Sequence, residues 1–148
     1  MSAPGPERLT RNWNEILQEL RVAQTGVQIL TGFLLTVPFA SRFTDLTDRQ
    51  VTVYLVVLSG SVLTTALVTA PVAYHRVLFR RREREWLVEA ANVTARLGLT
   101  TMALTSAGVL FLVFDVVVGL LAAALALTAA LACFVGLWAV VPWWTRRS

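Results

Sequence analysis

The residues with the most chemical potential in this chain lie between Gln18 and Thr36. At 100° per residue, Gln18, Arg21, Gln24, Thr25, Gln28, Thr31, Gly32 and Thr36 fall within an arc of about 140°, while Val22, Ala23, Val27, Leu30, Phe33 and Leu34 occupy the rest of the helix. Glutamine amides both donate and accept hydrogen bonds, and leaving one unsatisfied in hydrocarbon costs several kcal/mol by typical estimates. This face must therefore meet protein or water. Three readings follow. Gln24 and Gln28 bond neighbouring helices of one bundle; the first helices of several subunits line a polar pathway with Arg21 at its mouth, favouring anions or setting a gate; or the face is a groove for a partner.

Other reactive side chains are few. His75 and Arg76 follow Pro71, where an imidazole is either a pH sensor, joined by Glu15, Glu19 or Glu89, or simply an interfacial anchor. Arg80, Arg81, Arg82 and Arg84 form a basic run that fixes topology and can contact anionic lipid headgroups. Asp115 is the one acid inside a long apolar stretch and reads as an interfacial residue or a cap for the following helix, with an ion or proton site as the less favoured reading. A single cysteine, Cys133, and a single histidine exclude an internal disulfide and a multi-Cys/His zinc site. There is no nucleophile, base and acid arrangement, no carboxylate pair within an apolar span and no glycine-rich phosphate loop, so neither an enzyme nor a cofactor is expected.

The elements that position these residues follow from composition. The 148 residues are 56% hydrophobic, with a mean hydropathy of +0.65, more apolar surface than one soluble core absorbs. Four spans are expected at about residues 22–40, 51–73, 97–114 and 120–141. Each is long enough to cross roughly 30 Å of hydrocarbon. Residues 97–144 contain one charge, Asp115, and as a single helix would extend about 72 Å. A tight turn at Asp115 to Gly119 is the only break available near the middle. Asn12 or Asn14 can cap an amphipathic helix that leads into the first span, whose glutamines mark it as retained rather than as a cleaved signal peptide. Ser41 to Gln50 is a polar loop capping the second helix, and Tyr74 to Arg96 a basic connection lying partly at the interface. Gly98, Thr101, Thr105, Gly108, Leu112, Asp115 and Gly119 recur at three-and-four spacing on the third helix. They form a packing seam of small residues, with a weaker strip at Ser61, Thr65 and Thr69 and another in the Ala-rich fourth span around Gly136.

The expected fold is thus an all-α integral membrane protein of four transmembrane helices in two hairpins. An interfacial N-terminal segment (1–21) precedes the transmembrane domain (22–144), and a short tail (145–148) follows it. In this arrangement eleven arginines fall on one side and only Arg42 and Arg49 on the other, which by the positive-inside rule places both ends in the cytoplasm of a plasma-membrane, multi-pass protein. All thirteen basic residues are arginines flanking apolar spans, so the expected counter-charge is anionic lipid on the cytoplasmic side and not nucleic acid. Trp13, Trp86, Trp138, Trp143 and Trp144 fall toward that same side, as aromatic anchors do.

The segments ELRVAQTGVQILTGFLLTVPF (Glu19 to Phe39) and APVAYHRVLFR (Ala70 to Arg80), with the two apolar spans that follow, resemble a group of small actinobacterial membrane proteins known only as a domain of unknown function. The resemblance spans roughly Glu15 to Pro142 and implies four spans and an actinobacterial source, to which the all-arginine basicity conforms. It implies no activity. Two functional classes remain: a scaffold or accessory subunit acting through helix packing beside an unidentified membrane-protein partner, and a homo-oligomeric channel or transporter-like protein lined by the first span.

Overall fold

The computed structural model of the chain describes residues 6–78 and 84–145. The described chain is helical, running α1 (Pro6–Thr36), α2 (Asp48–Leu78), α3 (Arg84–Val117), α4 (Leu120–Val135) and a last short helix α5 (Val141–Thr145). Two 3₁₀ turns, Val37–Phe39 and Phe43–Asp45, link α1 to α2. Among the described residues four helices are long and apolar enough to cross a membrane: Leu20–Phe39, Asp48–Tyr74, Val88–Val117 and Leu120–Trp144.

Local sequence explains the boundaries. α1 stops before Pro38, which sits in the first turn of a 3₁₀ helix and disfavours α geometry at the residue before it. α2 starts on a reciprocal cap: the Thr47 N–H donates to Gln50 Oε1 at 3.0 Å and the Gln50 N–H donates to Thr47 Oγ1 at 3.3 Å. The pair satisfies two donors that the first helical turn would otherwise leave bare. α3 begins at Arg84, well before the span expected from residue 97, because Glu85 to Arg96 is made largely of good helix formers and contains neither Gly nor Pro. The break between α3 and α4 falls at Gly119, whose φ of 122° suits glycine alone.

Two compact units divide these helices. The first, Met1–Leu34 with Ser61–Thr101, holds most of α1, the second half of α2 and the first half of α3. α1 buries Leu20, Val27 and Leu34, a strict seven-residue repeat that keeps one stripe turned inward. α2 contributes Ser61, Thr64, Val68 and Pro71, and α3 contributes Ala91 and Gly98. A Cβ placed on Gly98 would lie 2.9 Å from Val68 Cγ2, so the two backbones approach as closely as glycine allows.

The second unit, Leu35–Gly60 with Met102–Ser148, holds the α1–α2 loop, the first half of α2, the second half of α3 and all of α4. Its core contains Tyr54, Val57, Ala103, Thr105, Ala107, Leu112 and Ala123, with Asp115 buried among them. Gly60 faces Thr105 Oγ1 at 2.7 Å and Gly108 faces Val57 Cγ2 at 2.8 Å, both measured to an added Cβ. Phe43 packs edge-on against Tyr54, ring centroids 5.5 Å apart. The expected seam on α3 is thus used, since Gly98, Thr105, Leu112 and Asp115 are buried. The seam expected on α4 is not: Ala123 is its one buried residue, and Gly136 has nothing within 4 Å.

At its far end α4 widens into a π-helical turn, Gly136–Val140. Pro142 has no N–H to give the carbonyl one turn back, and a π turn ahead of the ring accommodates the missing bond.

Candidate functional site

Two polar constellations emerge. The first is the one the spacing of α1 outlines. Arg21, Thr25 and Gln28 are exposed, turned away from Leu20, Val27 and Leu34, while Gln24 is half-buried at the flank of that stripe. The Thr25 hydroxyl donates to the Arg21 carbonyl at 3.0 Å and the Thr31 hydroxyl to the Val27 carbonyl at 2.8 Å, so these hydroxyls are satisfied within their own helix. No hydrogen bond among the described residues engages the side chain of Gln24 or Gln28. The reading in which these amides bond neighbouring helices of the same chain finds no such bond among the described residues. The apolar stripe of α1 won the interior, leaving Gln28 exposed and Gln24 at the edge of the stripe.

The second constellation was not foreseen. Asp115 lies in the last turn of α3 with its side chain 2% exposed. Arg49 Nη2 donates to both carboxylate oxygens, at 2.8 Å to Oδ1 and 2.9 Å to Oδ2, and Gln50 Nε2 donates to Oδ2 at 3.0 Å. Gln50 thus bonds the cap of α2 with its oxygen and Asp115 with its nitrogen. The carboxylate also faces the N-terminal turn of α2, where the helix dipole favours negative charge. Asp115 is not the cap of α4: that position is Gly119, with no side-chain cap. A signal for the pair was present, because Asp115 is the one acid in its apolar stretch and Arg49 one of the two arginines in the loop between the first two spans or at its end.

Among the described residues every buried side-chain nitrogen or oxygen has a hydrogen-bond partner. Elsewhere, Arg76 is exposed near the end of α2. The side chains of His75 and Arg84, and residues Arg80, Arg81 and Arg82 altogether, lie outside the described part of the chain. Cys133 is a free, exposed thiol. No group of three or more His, Cys, Asp or Glu residues able to hold a metal occurs among the described residues.

Outer surfaces are strongly apolar. Val22, Phe33, Leu121 and Leu125 are 65% to 78% exposed, each forgoing roughly 1.5–3 kcal/mol of burial if surrounded by water. Exposed apolar residues of this size over four long helices define a class of chain suited to a nonpolar solvent. The chain belongs to DUF6328, a family of unknown function, whose model matches residues 4–142. No curated protein and no solved structure matches it.

Proposed function

We propose that the chain is a multi-pass plasma-membrane protein that works through helix-to-helix contacts as a scaffold or accessory subunit, and not as an enzyme. The carrying observation is the polar face of α1, where exposed Gln28 and half-buried Gln24 have no side-chain partner among the described residues of their own chain while the flanking surface is apolar. A polar face of this kind in hydrocarbon calls for another protein surface.

Both ends are placed in the cytoplasm by the arginine count, eleven against two. The Arg49–Asp115 pair supports that orientation, because it compensates one of the two opposing charges. Arg80, Arg81, Arg82 and Arg84 contact anionic headgroups at the cytoplasmic surface on this reading. The all-arginine basicity suits a GC-rich, actinobacterial genome.

A second reading draws on the same face: Thr25, Gln28 and Arg21 are exposed together, as pathway-lining residues of a homo-oligomeric channel would be. Purification in lipid nanodiscs followed by native mass spectrometry and liposome flux separates the two. A single species carrying flux that Gln28→Leu abolishes without loss of assembly overturns the accessory reading. A stoichiometric second membrane protein, or an assembly without flux, supports it.

A further inference from the structure

We propose that the occupant of the α1 polar face is a second copy of this chain, parallel to the first, with the Gln28 amides of the two copies hydrogen-bonded to each other. The inference rests on the membrane reading above and names the partner that reading leaves open.

Periodicity is the first argument. Arg21, Thr25, Gln28 and Gly32 are spaced four, three and four residues apart, the spacing by which α2 buries Tyr54, Val57, Ser61, Thr64, Val68 and Pro71. It is the register of helices packed at a shallow left-handed angle. α1 therefore carries two such stripes, and among the described residues the buried one is that of Leu20, Val27 and Leu34.

Glycine placement is the second. Gly60, Gly98 and Gly108 each have a neighbour within 2.7–2.9 Å of an added Cβ, whereas Gly32, like Gly26 and Gly136, has nothing within 4 Å, and of these three it alone continues the Arg21, Thr25 and Gln28 spacing. A mid-helix glycine is unfavourable relative to alanine unless something approaches it. At Gly32 no described residue of this chain supplies such a surface.

Chemical self-complementarity selects the occupant. An amide offers both donors and an acceptor, so Gln28 can satisfy Gln28. Copies inserted with the same topology hold this residue at the same depth, a match that an unrelated helix would need a polar group of its own to make. Thr25 does not compete, because its hydroxyl is already bonded within the helix. Arg21 would bring like charges together, but it stands at the very start of the Leu20–Phe39 span, where its guanidinium can reach the headgroups.

The test is oxidative cross-linking in native membranes on a Cys133→Ser background, full-length chain throughout. Cysteines at Thr25, Gln28 and Gly32 are expected to give disulfide-linked dimers several-fold more readily than cysteines at Val22, Ile29 and Phe33. In parallel, Förster transfer between labelled copies in liposomes is expected to show Gln28→Leu weakening association about three- to tenfold, one membrane hydrogen bond's worth, with Gln28→Asn intermediate. An even pattern, an inverted pattern, no dimer at any position or unchanged association of Gln28→Leu overturns the proposal. Retention in membranes after alkaline carbonate tells the two failures apart: a chain that stays but forms no dimer sinks only the second copy, and a chain that leaves sinks the membrane reading with it.

Discussion

At the scale of single residues, the Arg49–Asp115 pair makes the sharpest demand. A carboxylate whose side chain is 2% exposed, held by a half-exposed guanidinium, is costly to leave alone, because removing one partner strands a desolvated charge. Arg49→Gln should lower stability in detergent by about 2–3 kcal/mol, and Asp115→Asn by about 1 kcal/mol, since the amide keeps part of the bonding. A thermal or denaturant titration checks this, and parent-like stability of Arg49→Gln would refute it. The glycines divide in the same way. Gly60→Ala and Gly108→Ala drive a methyl into Thr105 and Val57 and should cost about 1–3 kcal/mol. Gly26→Ala, with open space around it, should instead stabilise the isolated chain by up to about 1 kcal/mol through helix propensity. If all three behaved alike, the close approach of α2 and α3 would be wrong.

Helices and turns give the next level. The α3–α4 break depends on one residue: Gly119 at φ 122° lies where a Cβ is strained, so Gly119→Ala should cost about 1–2 kcal/mol while Val118→Ala, on an exposed neighbour, should be close to neutral. Unfolding midpoints of the two variants decide it. The π turn at Gly136–Val140 follows from Pro142, and Pro142→Ala should restore regular α hydrogen bonding, read as slower amide exchange at residues 138–142. These breaks differ in how legible they were. A glycine at the one polar interruption of a 48-residue apolar stretch announces a turn. Pro142, by contrast, reads as a helix end, and the widened turn ahead of it emerges only when α5 resumes beyond the proline.

For the whole molecule the prediction concerns sidedness. On a Cys133→Ser background, Thr44→Cys should react with an impermeant maleimide added outside intact cells, and Arg76→Cys only after the membrane is opened. The reverse pattern would invert the proposed orientation and with it the meaning of the arginine count. Inside the chain the described buried polar atoms are all matched, so the chain is finished as a fold and unfinished as a surface.

What the sequence determined by itself was everything that depends on length, periodicity and hydropathy. Four helices of spanning length, the turn near Gly119, the small-residue stripe on α3 and the clustering of amides on α1 all follow from local spacing, because each is a property of one helix. Which stripe of each helix turned inward was set by packing between helices. α1 has two stripes of compatible spacing, and burial of Leu20, Val27 and Leu34 left Gln24 and Gln28 without side-chain partners among the described residues. The tertiary structure also joined Asp115 to Arg49, 66 residues apart in the chain, a pairing that one-dimensional spacing does not encode because it arises where the end of one helix meets the start of another.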